Sequence, residues 1–505
     1  MTIPPEQREV VSFLTRLSGR PPIETHVSAV FVGRDEVWKL KKAVLLPFLD
    51  FRTADARRHF LERELALNQP VAPAIYRAVA AIDRRPDGAL RIAPSSDAVT
   101  AVDWVLRMAP IPSDQFLDAI AERTGLSPSV LDALGDCVAE DHARRPPVFG
   151  WDSEGALRRV AEGCVRSALA VDLPATSVHF WMRSIHARLE RNAVWLAARA
   201  AAGFVRRCHG DLHLRNLCLW DGVPTPFDAL EFDEDLATID VGYDLAFLLM
   251  DLDLNVGRAE ANRVLNRAIA RSGDVALARA LPMFMSLRAM VRAHVEAASN
   301  RDGLGRRYLA AAIDYMKSAP ALVLAIGGPP ATGKSTLARR LAPMLGRAPG
   351  AVILRSDEIR KRLFGVAPEE RLAEAAYAPN ATFSVYQDMG QAARMVAAGG
   401  HAVIADATFV DPENRGEIET AARAADVPFV GIWLTAPSAL LDARIRNRRH
   451  DASDADLDVL HAVLARDTGP IGWRVVDASD ADEAAAAITA SIDLAVAKPG
   501  SSPLG

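Results

Sequence analysis

Asp211 and Asn216 stand five residues apart in "HGDLHLRN" (209–216), a carboxylate and a carboxamide on one short stretch. At that spacing a carboxylate can accept a hydroxyl proton while the carboxamide holds a divalent cation. Twelve residues beyond Asn216, Asp228 ends a short apolar run in "PTPFDALEFD", past a turn at Asp221-Gly222. A second metal-binding acid would stand there, and Glu231 or Asp233 could share its role. Upstream, Lys39 in "VWKLKK" and Glu64 in the following helical stretch could form the lysine–glutamate pair that orients nucleotide phosphates. Lys41 faces the same side of the strand as Lys39, so either lysine can meet Glu64.

His209 and His213 pose an alternative. On a helix, i,i+4 histidines share a face and could bind zinc. Gly210 and Asp211 between them are poor helix residues, and no third ligand follows in zincin spacing, so the phosphotransfer reading is preferred. His209 is then expected to brace the loop.

A second signature is sharper. "GPPATGKS", from Gly328 to Gly333, Lys334 and Ser335, satisfies G-x-x-x-x-G-K-[ST], and Thr336 follows. An apolar strand precedes it (321–326) and a helical stretch, "STLARRLAPML", comes after. Glycines let backbone amides curl around phosphate oxygens, Lys334 reaches the β- and γ-phosphates, and the Ser335 hydroxyl meets Mg²⁺. Asp406, closing the strand in "AVIADATF", is placed as an acid that organises the same metal shell, or as an ordinary turn aspartate.

The stretch "RSDEIRKRLFG" resembles the small P-loop kinases (polynucleotide kinase, gluconate kinase-like, chloramphenicol phosphotransferase and zeta-toxin proteins). That resemblance implies that Asp357 activates the acceptor hydroxyl and that Arg360 holds substrate. The competing reading makes Asp357 the N-cap of the helix and puts Arg360 on its surface. "LLDARIRNRRHDASDAD" resembles the arginine-bearing lid of these kinases, with Arg444 and Arg448 placed to reach phosphate. The resemblance spans about residues 321–495.

Residues 1–316 resemble the aminoglycoside phosphotransferase/choline kinase branch of the protein-kinase-like superfamily. "HGDLHLRN" is close to that branch's H-G-D-[LF]-H-x-x-N, and "DVGYDLAFLL" (240–249) resembles its next acidic helix start, with Asp244 buttressing the loop. The whole chain resembles bacterial bifunctional aminoglycoside phosphotransferase/ATP-binding proteins, through "KKAVLLPFLDF" and "EFDEDLATIDVGYDLAFLLMDLDL". It departs from protein kinases in having no G-x-G-x-x-G in its first hairpin, only Gly33.

These residues need elements to hold them. "HVSAVFVG" and "EVWKLKK" alternate as an antiparallel hairpin around Gly33-Arg34-Asp35. Residues 53–69 have helical periodicity with Thr53 as N-cap, and "VAPAIYRAVAAI", "ALRIAP" and "AVDWVLRMAP" read as further strands. The expected fold is an α+β bilobal protein-kinase-like domain (1–316; small lobe about 1–110, helical large lobe about 111–316). An α/β P-loop domain with a parallel sheet (321–497) follows, then a disordered tail (498–505).

Composition sets the outer bounds. The 505 residues carry a net charge of -5, which argues against a dedicated nucleic-acid binder. The four cysteines form no C-x-x-C pair, as expected of free thiols in a reducing compartment. The N-terminus lacks a signal-peptide core, and no run approaches the roughly 18–20 apolar residues that span a bilayer. A cytoplasmic protein with no membrane partner is expected. Only seven of 59 basic residues are lysine, and three are Lys39, Lys41 and Lys42, with Lys334 in the phosphate loop. A lysine is a compact point charge that arginine's fork does not replace between phosphates. The expectation is therefore a bifunctional phosphotransferase using ATP (or another nucleoside triphosphate) and Mg²⁺ on small-molecule hydroxyl substrates. The alternative is a nucleotide-binding regulatory or toxin–antitoxin-like module with one catalytic domain.

Overall fold

The structure, a computed structural model, describes residues 3–46, 49–94, 101–447 and 452–497. Arg448 and the tail 498–505 fall outside the described residues. The chain divides into two compact units: Met1–Leu126 with Arg144–Ala156 and Trp195–Asp244, and Ser127–Ala143 with Leu157–Val194 and Leu245–Gly505. No helix among the described residues is long and apolar enough to cross a membrane.

In the first unit, six antiparallel strands pair in the order Ile23–Glu24, Ser28–Val32, Val37–Lys41, Ala101–Met108, Tyr76–Arg84, Leu90–Pro94. The inner strands are rich in β-branched, aromatic and aliphatic residues, which pack on both faces of the sheet. One face packs Leu61 of helix Ala54–Asn68 against Val79, Ala81, Trp104 and Leu106. The Thr53 hydroxyl caps this helix by accepting the Ala56 amide at 3.2 Å. The opposite face is covered by a helix that the sequence reading passed over, Arg8–Ser18, whose Val10 and Leu14 pack on Phe31 and Leu40. Its start is marked only by Pro4 and Pro5 and a single short turn, a weak signal.

The second unit joins helices to a five-stranded, wholly parallel sheet. Its order is Val352–Arg355, Val403–Asp406, Val323–Gly327, Phe429–Thr435, Arg474–Asp477. Strands Val352–Arg355, Val403–Asp406 and Val323–Gly327, the last of which leads into the phosphate loop, are fully buried, as expected where helices cover both faces of a parallel sheet. The last strand was not expected, because it is an edge strand with only Val476 buried and so lacks an apolar run.

The other edge is capped by side chains of helix Arg258–Ser272. Asn266 Oδ1 accepts the Ile353 amide at 2.6 Å, and Asn262 Nδ2 donates to the Ala351 carbonyl at 3.0 Å. An open strand edge offers unpaired peptide groups to other chains, and these asparagines satisfy them. Asn266→Ala strands the Ile353 N–H and is expected to cost about 1–3 kcal/mol in chemical denaturation of the full-length protein.

His401, at the start of strand Val403–Asp406, is buried and its Nε2 meets the Gly350 carbonyl at 2.8 Å. Burial pushes its ring down to about 4, against 6.5 for an exposed histidine. The unfolded chain therefore binds a proton that the folded chain refuses. Stability is whole above pH 6.5 and falls as pH drops toward 4, by about 3 kcal/mol from this group. His401→Gln is expected to flatten that part of the acid-denaturation profile.

Candidate active sites

The two lysines of strand Val37–Lys41 point to one side, and both reach the same carboxylate. Lys39 Nζ lies 2.6 Å from Glu64 Oε1, and Lys41 Nζ lies 2.6 Å from Glu64 Oε2. Lys39 also meets Asp228 Oδ1 at 2.5 Å, and Lys41 donates to Glu231 Oε1. Glu64 and Lys41 are enclosed, whereas the Asp228 side chain is 43% exposed, so the Lys39–Asp228 end of the network faces outward. Burial opposes the charge on Lys39, but Asp228 and Glu64 outweigh it and hold the ammonium well above the usual lysine range. For Asp228, desolvation works against its charge, but Lys39 prevails and keeps the carboxyl below its ordinary value. Asp233, the third acid of that stretch, instead caps the short helix Glu234–Ala237 by accepting the Leu236 amide.

Two residues outside the sequence reading fasten this network. Asn68, one helical turn beyond Glu64, donates to the Glu64 carbonyl at 2.9 Å and accepts the Ala229 amide at 2.9 Å. The Tyr76 hydroxyl accepts the Asp228 amide at 2.8 Å. Together they pin the residues around Asp228, whose backbone has a φ of +62°. Aspartate tolerates this left-handed conformation better than most residues.

Residues 209–213 are not helical and only Leu214–Asn216 make a 3₁₀ turn, so the i,i+4 geometry for zinc does not arise. The Asp244 carboxylate accepts the Gly210 amide at 2.9 Å and the His209 amide at 3.3 Å, the buttress expected of it. His209 is engaged at both ring nitrogens, Nε2 with the Phe227 carbonyl and Nδ1 with the Asp211 amide. Burial keeps its ring below the ordinary histidine value, hence neutral. Gly210 has a φ of +84°, and a Cβ there would stand 3.1 Å from the Leu230 Cβ, so only glycine turns the chain at this point. Asn216 Nδ2 donates to both the carbonyl and Oδ2 of Asp211, each at 2.9 Å. Hairpin Leu217–Trp220/Val223–Pro226 then returns the chain to Asp228, with the Phe227 amide donating to the Asn216 carbonyl. Asp211, Asn216, Asp228, Lys39 and Glu64 thus all lie in the first unit, and the Asp211 charge is felt at Asp228.

In the second unit, loop 328–333 links strand Val323–Gly327 to helix Lys334–Leu341. Gly328 has a φ of +131°, and a Cβ on it would come within 2.4 Å of the Leu434 carbonyl oxygen. Lys334 Nζ curls back onto the Gly328 and Pro329 carbonyls at 3.0 and 2.8 Å. Ser335 and Thr336 stand in the first turn of the helix, where amides point at the loop. Arg444 on helix Ser438–Asn447 donates to the loop at the Ala331 carbonyl and to the Ala478 and Ser479 carbonyls.

Asp406 sits in register with Ile326 on one side and Arg355 on the other. It is buried, and its Oδ2 forms an ion pair with Arg355 Nε at 3.4 Å without a hydrogen bond. A buried carboxylate at the end of the strand beside the phosphate-loop strand is a hard oxygen donor, so the donor chemistry of this position fits Mg²⁺. Asp357 lies inside the first turn of helix Ser356–Leu363 rather than capping it, the cap being Arg355. Arg360 is buried: it donates to the Ala376 carbonyl at 2.6 Å and lies 4.8 Å from the Tyr377 ring centre. The charge of Asp357 reaches both Tyr377 and Tyr386, two neighbours that motif reasoning could not name. Asp454 also escaped it. From the stretch read as an arginine lid, it accepts from Lys361, the Leu372 amide and the Tyr377 hydroxyl. This knot gives Lys361 its purpose.

Residues 323–470 match the model of the family described as AAA domain. The uncharacterised protein Rv2004c of Mycobacterium tuberculosis is 30% identical over 467 residues, covering 88% of this chain and 90% of the relative. The chain belongs to the Rv2004c family. A Mycobacterium bovis relative matches to the same extent. An adenylyl-sulfate kinase of Myxococcus xanthus is 32% identical over 125 residues, 24% of this chain and 62% of that protein. Among solved structures, a choline/ethanolamine kinase family protein of Mesorhizobium loti aligns with a TM-score of 0.36 at 12% identity, over 61% of this chain and 95% of its own.

Proposed function

We propose that the chain transfers the γ-phosphate of ATP to hydroxyl groups of small molecules at two separate Mg²⁺-dependent sites. Coarsely stated, it is a phosphotransferase with a P-loop kinase-like half and a kinase-like half. The observation that carries the finer reading is the bridging of Lys39 and Lys41 by Glu64 beside Asp228, within the unit that holds Asp211 and Asn216. We retain 1–316 and 321–497 as the two functional modules.

In the first site Lys39, the outward-facing lysine, would bind the α- and β-phosphates with Glu64 fixing its ammonium. Asp211 would take the acceptor's hydroxyl proton. The Asn216 carboxamide and the Asp228 carboxylate are hard oxygen donors and would hold Mg²⁺, whose charge neutralises the transferring phosphate when bound. In the second site the amides of loop 328–333, Lys334 and Thr336 would cradle phosphates, with Arg444 beside them. Ser335 and Asp406 would hold the metal, Asp357 would act as base and Arg360 would position the acceptor. The remaining lid position, Arg448, is assigned to phosphate on resemblance alone.

The test uses full-length protein, labelled ATP and a metabolite mixture as acceptors. Asp211→Asn and Asp357→Asn should each remove one phosphorylated product and spare the other, and a chelator should remove both. If neither variant changes the products, these acids are not the bases.

A further inference from the structure

Four arginines of the second unit lie around the end of the parallel sheet opposite the phosphate loop. The loop follows the C-terminal end of strand Val323–Gly327. Arg347 precedes the N-terminal end of strand Val352–Arg355, and the turn at Gly399-Gly400 precedes strand Val403–Asp406. Val352 and Val323 both pair with Val403, so these N-terminal ends lie on one edge, a strand length of roughly 13 Å from the loop.

Arg347 and Arg279 flank that turn. A Cβ on Gly400 would lie 3.6 Å from Arg347 Nη1, and one on Gly399 would lie 3.1 Å from Arg279 Cβ. Arg279 Nε donates to Asn192 Oδ1 at 2.9 Å. Asn192 belongs to the long helix Ala175–Ala201, which carries Arg191 beside it and Arg188 one turn before it. Arg188 is fixed by its bond to the Met316 carbonyl at 2.7 Å, and Arg191 by Nε to the Ala187 carbonyl.

Among the described residues none of the four pairs with a carboxylate, although Arg263, Arg267 and Arg271 of the same unit all do. The buried Nε of Arg347 has no hydrogen-bond partner, and neither has Nδ1 of the adjoining buried His401. Burial, then the charges of Arg347 and Arg191, hold Arg188 below the usual arginine range. Burial, then Arg191, does the same to Arg347. A guanidinium does not escape such repulsion by losing its proton at neutral pH. At Arg191, which is exposed, salt screens it; at the half-buried pair screening is weak.

We propose that Arg188, Arg191, Arg279 and Arg347 form a binding site for a compact phosphate anion, outside both phosphoryl-transfer sites. Guanidinium forks match phosphate oxygens bidentately, and several neighbouring forks without carboxylate partners suit a multiply charged group better than a lone carboxylate. Such an anion would tie the long helix Ala175–Ala201 to the base of the P-loop sheet.

The experiment is a calorimetric titration of full-length protein with pyrophosphate, with a non-hydrolysable ATP analogue and Mg²⁺ held in excess. The wild type should show one further saturable site, and Arg191→Gln/Arg347→Gln should weaken it by about tenfold or more. Arg191→Gln alone, at an exposed position that cannot threaten folding, should weaken it in the same direction. Absence of the further site in the wild type, or equal affinity in these variants, overturns the proposal. So does binding of a single-stranded oligonucleotide that needs the same arginines while pyrophosphate fails to bind.

Discussion

Asp211→Asn is expected to lower phosphoryl transfer at the first site by about 10²–10⁴, the range for removing a positioned general base. The carboxamide has the shape of the carboxylate, and its oxygen can still accept from Asn216 Nδ2, which lies 2.9 Å from Asp211 Oδ2 in the wild type. Gly210 and His209 stay anchored on Asp244, which the substitution does not touch. The loop therefore keeps its path, and what disappears is the capacity to take a proton. The loss should fall on kcat, with KM for ATP almost unmoved, because Lys39 and Glu64 stand on other elements. Turnover at the Asp357 site should persist at its wild-type rate. A parallel loss of both products would mean that the two sites work as one, and an unchanged first product would remove Asp211 from the chemistry.

Motif residues were legible because their chemistry restricts both type and spacing: a P-loop needs its glycines, lysine and hydroxyl in fixed order. The strand period made Lys39 and Lys41 indistinguishable, and the structure explains why that ambiguity was real, since Glu64 engages one lysine with each oxygen. What stayed hidden acts across long separations. Asn68 reaches Ala229, and Tyr76 reaches Asp228, through backbone amides that impose no pattern on the sequence. Asp454 was masked by the arginines around it, which drew the lid reading, although the acid is what ties that stretch to Lys361 and Tyr377. Arg360 illustrates the limit of local reasoning: its helix position is compatible with a surface role, and only tertiary packing buries it under Tyr377. The edge asparagines Asn262 and Asn266 satisfy a strand nearly ninety residues away. That dependence is why activity tests belong on the full chain and not on a fragment beginning near residue 321.

Glu64→Gln is expected to destabilise the first unit by about 3–5 kcal/mol, the cost of breaking a buried ion pair from one side. Glu64 is fully enclosed and holds two ammonium groups, one per oxygen, both at 2.6 Å. Glutamine can offer an oxygen to only one of them and must turn an NH₂ toward the other. If Lys39 keeps the oxygen, Lys41 retains Glu231 but faces an amide donor in a region where burial already opposes its charge. If Lys41 keeps it, Lys39 falls back on the half-exposed Asp228 and leaves the position from which it would meet phosphate. Both arrangements cost stability and the second also impairs nucleotide binding, so the variant should show an earlier unfolding transition together with a raised KM for ATP at the first site. Glu64→Asp separates the two effects: it restores the charge but is one methylene short of reaching both lysines. It should recover part of the stability and less of the affinity. Wild-type stability in Glu64→Gln, measured by denaturant titration, would mean that the two lysines do not depend on this carboxylate.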